Sequence, residues 1–222
     1  MRYALHLWVV GSLIVTGVAF GQTTPESDDS NSRRIFGIIP NFRTSPTLDT
    51  YKPLTTREKY KLATDDAFDR GTIALAALFA GESQLTNANP SFGQGVKGYA
   101  HYLGTAYGDF FIGDYMTEAV YPSLLHQDPR YFRRGQGSVA SRLRYSAGQI
   151  FLTHGDNGHT QFNVSEIAGN STAVAISMAY YPENRDFADG ISKLGVQLGV
   201  DMAANILKEF APDITRHFHH KH

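Results

Sequence analysis

The sequence predicts an all-α fold: a compact helical bundle with small-residue (Gly/Ala) helix-helix contacts and an extended N-terminal arm. Three observations lead there. Apolar residues recur at helical spacing over long stretches of the chain. Three of those stretches carry small residues four apart: Ala100, Gly104 and Gly108; Gly169, Ala173 and Ser177; Gly195, Gly199 and Ala203. Alternating, strand-like runs are short, whereas a transmembrane barrel would need many alternating segments of about ten residues.

Residues 1–21, "MRYALHLWVVGSLIVTGVAFG", hold one arginine, an apolar run and small residues at positions 19 and 21. That layout predicts a secretory signal peptide cleaved after Gly21. The alternative is an uncleaved anchor, since the run is only slightly shorter than the roughly 20 residues that cross a bilayer. Residues 22–34 lack apolar side chains to bury and are expected to form a disordered linker. Residues 35–54 contain Pro40, Pro46 and Pro53, which disfavour regular helix and predict an extended arm.

Residues 55–216 are expected to form the helical domain. Thr55 or Thr56, with Glu58 in the first turn, caps a helix reaching about Asn87. A second helix is expected from Gly95 to Val120, closed by Pro122. Ser138 caps a third, and a nearly uncharged one follows Glu166. Asp186 to Phe210 has the clearest pattern, with polar, small and apolar rows. Glycine inside a helix costs about 0.5–1 kcal/mol relative to alanine, so the three small rows predict close approach of helix backbones. Uncharged runs such as Thr72–Gly81 and Ile167–Tyr181 are too short to span a bilayer, which favours a water-soluble or membrane-peripheral bundle over an embedded helical protein.

The chain has 20 Lys and Arg against 21 Asp and Glu, so no overall field draws it to nucleic acid or anionic lipid, and any charge-based partner must be read by a local patch. It has no cysteine, which excludes disulfides, thiol chemistry and cysteine metal sites.

Two polar knots carry whatever chemistry the sequence offers. The first, "PSLLHQDPRYFRRG", brings His126, Asp128, Arg130, Arg133 and Arg134 together, and Arg142 and Arg144 follow at once. Three readings apply: a solvated corner whose arginines serve the fold's own carboxylates; an anion clamp of Arg130, Arg133, Arg134, Arg142 and Arg144 for phosphate, sulfate or carboxylate; and acid-base catalysis by His126 with Asp128. The second knot, "THGDNGHTQFNVSE", holds His154, Asp156 and His159. Two imidazoles and a carboxylate make a candidate zinc shell, although "GDNG" is also a turn sequence in its own right. Residues 217–222 form a His-rich tail, more suited to adventitious metal than to a dedicated site. No cofactor is expected apart from this zinc alternative.

The blocks "RRIFGIIPNF", "NPSFGQG", "PSLLHQDPRYFRRG", "FNVSEIAGNSTAVAIS" and "KEFAPDI" resemble those of a group of signal-bearing bacterial envelope proteins with no assigned activity. The likeness spans about Arg34 to His222. It implies export in a Gram-negative-type bacterium, to the periplasm or outer membrane, and brings no catalytic residues with it. The leading expectation is a non-enzymatic envelope protein that meets another envelope component or an anionic lipid headgroup. The alternatives are a periplasmic hydrolase acting on a phosphorylated or lipid substrate through His126 and Asp128, and an embedded helical membrane protein.

Overall fold

The computed structural model describes residues 34–35, 39–40, 44–45, 51–183 and 185–219, with side chains of the last helix described to Ile214. The leader expected over 1–21 and the linker expected over 22–34, apart from its last residue Arg34 in β1, lie outside these residues, as do the side chains of the His-rich tail.

The chain is mostly helical, with a small sheet. In order it forms β1 (Arg34–Ile35), β2 (Ile39–Pro40), β3 (Thr44–Ser45), α1 (Thr56–Ala67), α2 (Arg70–Leu85), a 3-10 turn (Pro90–Phe92) and α3 (Gly95–Asp114). A π-helical segment (Tyr115–Val120) leads to α4 (Tyr121–Leu124), β4 (Gln127–Asp128), β5 (Tyr131–Phe132), α5 (Val139–Gly148), β6 (Leu152–Gly155), β7 (Thr160–Phe162), α6 (Val164–Ser177) and α7 (Phe187–His219).

The expected caps are in place. Thr55 and Glu58 form a reciprocal capping box at the start of α1, and the Ser138 hydroxyl accepts from the Ser141 amide at the start of α5. The single helix expected from Thr55 to Asn87 is instead two. Phe68 closes α1, and the Asp69 carboxylate accepts from the Gly71 amide at 2.6 Å, opening α2 in a new direction.

Pro122 does not stop the next helix. The i→i+5 turns of the π segment run straight into it, a geometry that accommodates a residue without a donor. Likewise α7 continues through Pro212 beyond the expected end at Phe210.

All-α is not an accurate description, because the polar corner and the second knot pair as strands. β4, β6 and β7 form an antiparallel sheet, with Asp128 opposite His154 and Leu152 opposite Phe162. The described part of the arm adds β3 in parallel beside β5, Thr44 against Tyr131. Strands of two to four residues satisfy a corner's backbone groups without an alternating pattern long enough to read.

Packing is inverted relative to an ordinary water-soluble bundle. The buried apolar residues are mainly alanines (Ala63, Ala67, Ala76, Ala80, Ala119, Ala173), with Ile150, Val174 and a few aromatics. Lys59, Glu118, Asp128, Asn170 and Glu209 are among the largest side chains wholly removed from solvent. Of the leucines among the described residues none is fully buried, although leucine is normally one of the most buried types.

The small rows are divided in what they do. A methyl on Gly169 would lie 2.8 Å from Thr117 Cγ2 and 3.0 Å from the Met116 carbonyl carbon, so α6 rests directly on the π segment. Methyls on Gly104, Gly195 and Gly199 would meet nothing within 4 Å. Close backbone approach therefore holds at Gly169, while Gly104, Gly195 and Gly199 face open space.

Gly169→Ala should cost about 1–3 kcal/mol by overpacking, whereas Gly199→Ala should be neutral or stabilising by about 0.5–1 kcal/mol. Denaturant unfolding of both variants distinguishes them, and equal effects would contradict the close contact at Gly169.

Candidate functional site

The polar corner is built around two buried carboxylates. Asp128, on β4, has a fully buried side chain and accepts from the Arg130 amide at 3.0 Å, from Arg130 Nε at 2.9 Å and Nη2 at 2.6 Å, and from the Tyr51 hydroxyl at 3.1 Å. Arg130 also donates to the Lys52 carbonyl, and Tyr51 to the Gly155 carbonyl at 2.8 Å, so this node ties residues 51–52 to the sheet. Burial works against the Arg130 charge, but the Asp128 carboxylate outweighs it and holds the guanidinium above its ordinary pKa.

Glu209, on α7, is the second centre. Its carboxylate accepts from the Tyr131 hydroxyl at 2.6 Å, Arg142 Nε at 2.7 Å, and the amides of Arg134 at 3.0 Å and Gly135 at 2.8 Å. Burial alone would raise its pKa, yet these bonds hold it below the usual carboxylate value. Arg133 Nε and Arg142 Nη2 both donate to the Glu209 carbonyl, in the turn that ends on Pro212. Arg142 Nη1 reaches Asp213 at 2.6 Å.

These pairings sort the five arginines. Arg130, Arg133 and Arg142 serve the fold's own carboxylates and carbonyls. Arg134 is exposed, its guanidinium 5.8 Å from the centre of the Tyr145 ring. Arg144 is exposed and has no carboxylate partner among the described residues.

His126 and Asp128 do not meet as a catalytic pair. His126 adopts φ 53°, with its side chain 83 % exposed and Nδ1 3.8 Å from Asp156 Oδ2. Asp156 is in turn held by Lys59, whose ammonium is buried and donates to both carboxylate oxygens at 2.9 Å and to the Pro122 carbonyl at 3.1 Å.

His154, Asp156 and His159 surround the β6–β7 turn, in which the Gly158 amide donates to the Gly155 carbonyl and the His159 amide to Asn157 Oδ1. Among the described residues no three His, Asp or Glu side chains are grouped so as to hold a metal ion. His159 is exposed. His154 is buried, edge-on to Phe132 with ring centres 4.9 Å apart, and its Nδ1 has no hydrogen-bond partner. Burial lowers its pKa and the nearby Asp128 opposes that shift, so the ring is held neutral.

A further network has no counterpart in the sequence reading. Asp109 on α3 accepts from the hydroxyls of Tyr180 at 2.5 Å and Tyr181 at 2.8 Å, and lies 3.3 Å from the Lys193 ammonium on α7. Lys193 also sits 3.6 Å over the Tyr181 ring and donates to Ser177 at the end of α6. Desolvation lowers the Lys193 pKa against the pull of Asp109, and burial with the Asp109 charge raises both tyrosines. Four-apart polar rows containing Asp109 and Lys193 were legible, but nothing local says that they face each other.

A polar cavity of about 30 Å³ lies among Thr117, Arg130, Thr153, Asn163, Glu166 and Asn205. It has room for a water or two, against the roughly 300 Å³ or more of a small-molecule site. Chemically, the corner is a set of internally neutralised charges that lock elements together, with two arginines left outside. No family model, curated protein or solved structure matches the chain.

Glu209→Gln should destabilise the protein by about 3–5 kcal/mol, because it breaks a buried ion pair from one side, while Arg144→Gln should stay within about 0.5 kcal/mol; chemical denaturation measures both. Acid should weaken the fold in two stages. His154 has a lowered folded pKa, so its contribution is complete above the unfolded value of about 6.5 and is lost as pH falls below it. The Glu209 contribution, also from a lowered pKa, is lost only below about 4.3. His154→Phe keeps the ring packing and should remove the upper stage alone. Parallel stability curves for the two proteins between pH 6.5 and 5 would refute this assignment.

Proposed function

We propose that this chain is a non-enzymatic component of a bacterial envelope that lies against a membrane. The observation that carries this reading is the inverted packing. Charged and amide side chains occupy the interior in mutual pairs, while large apolar side chains such as Leu78, Leu85, Val96, Leu124, Phe162 and Phe187 face outward. Leu85 and Val96 are each 90 % exposed. Single exposed apolar residues are ordinary, but a molecule whose described leucines are all at least partly outside is suited to an apolar neighbour.

Two further points support the reading. The N-terminal pattern of a short basic start, an apolar run and small residues is that of an exported chain. Among the described residues no helix is long and apolar enough to cross a membrane, so the proposed association is lateral. The buried Asp128 and Glu209 are engaged in bonds that position elements, which suits a scaffold better than a catalyst.

Fractionation of cells expressing the full chain tests this. The protein should sediment with membranes, resist a high-salt wash and need detergent for release. Complete recovery in the osmotic-shock fluid would defeat the proposal.

A further inference from the structure

Resting on the membrane-surface reading above, we propose that the outer face of α5 together with the β6–β7 hairpin is the docking surface, and that it binds an anionic lipid bilayer. The two elements are continuous in the chain. α5 runs directly into the hairpin through Phe151, whose amide donates to the Gly148 carbonyl at 2.9 Å. Leu152 on β6 stands opposite Phe162 on β7, and the Asn163 amide returns to the Phe151 carbonyl at 2.9 Å. Leu143 on α5, Phe151, Leu152 and Phe162 are all exposed, and β7 is the edge strand of its sheet.

Within the span from Arg133 to Glu166 the exposed formal charge has one sign. The acidic residues between Arg133 and Glu166 are Asp156 and Glu166 themselves. Asp156 is neutralised by Lys59, and Glu166 is buried. The exposed formal charges of the span are the guanidinium groups of Arg134 and Arg144, which flank Tyr145 on α5. Arg134 is kept at the surface by its stacking on Tyr145, and its own amide is anchored to Glu209. Elsewhere, Phe187 and Ile191 lie beside charges of both signs, Arg185, Asp186 and Asp189.

Apolar knobs beside unneutralised guanidinium groups match the two layers of an anionic bilayer surface. The rings and Leu152 enter the acyl boundary while the arginines meet headgroup phosphates. The same guanidinium groups are those of the anion clamp that the internal carboxylates leave available.

Flotation with phosphatidylcholine vesicles, with and without phosphatidylglycerol, tests this. The full chain should bind the anionic vesicles more tightly, and added salt should weaken that binding. Phe151→Ser and Phe162→Ser should each reduce affinity for both vesicles. Arg134→Gln with Arg144→Gln should reduce it about thirtyfold on anionic vesicles alone, at roughly fivefold per arginine. Arg57→Gln, which removes an exposed charge from α1, should leave binding unchanged. Phe162→Trp in a Trp8→Phe background should shift to the blue on binding and be quenched by brominated acyl chains.

Binding that none of the hairpin or arginine variants weakens would overturn this surface while leaving the membrane reading intact. So would a chain that sediments with cell membranes but binds neither vesicle, which points to a protein partner. A chain that neither sediments with membranes nor binds vesicles overturns both.

Discussion

One buried carboxylate holds the molecule together. Glu209 brings α7 against β5 through Tyr131, against α5 through Arg142, and against the intervening turn through the amides of Arg134 and Gly135. Taking a carboxylate out of water costs several kcal/mol, and four donors offset that cost only if all three elements are in place. Gly135 makes the turn workable: its φ of 68° lies in the left-handed region, and a side chain there would press on the Arg133 guanidinium. The geometry thus specifies one arrangement of strand, helix and turn instead of merely tolerating it.

The same logic repeats at smaller scale. Lys59 with Asp156 and Lys193 with Asp109 each join elements far apart in sequence, and Arg130, paired with Asp128 two residues away, ties that carboxylate to the Lys52 carbonyl. Each places a formal charge where an ordinary bundle would place leucine. With alanines and glycines filling much of the remaining space, helices sit close and polar groups reach one another directly. Leucines and four of the phenylalanines among the described residues are displaced outward, and that displacement makes an apolar neighbour physically reasonable. Polar interior and apolar exterior are two sides of one packing choice.

Local chemistry was legible and distant chemistry was not. The Thr55 box, the Ser138 cap and the "GDNG" turn depend on residues within a few positions, so residue types alone identify them. The break at Asp69 was hidden because an aspartate on a polar helix row and an aspartate capping a new helix read alike. Two-residue strands are too short for any period. The small rows showed that three helices have a bare face, but periodicity says nothing about what that face meets: Gly169 meets the π segment and Gly199 meets open space. Among the candidate residues, the sequence already offered arginines serving the fold's own carboxylates. Their main partner, Glu209, lies 67 residues from Arg142 and 78 from Tyr131, beyond the reach of any local pattern.

The two hydrogen bonds of the Tyr51 hydroxyl close loops of 77 and 104 residues, to Asp128 and to the Gly155 carbonyl. Both acceptors exist as a pair only once β4 has joined β6. A segment that leaves the ribosome early must therefore wait, undocked, until well over half the chain has been made and folded. Contacts that enclose so much chain are entropically slow to form, so the segment around Tyr51 is among the last parts to find its place.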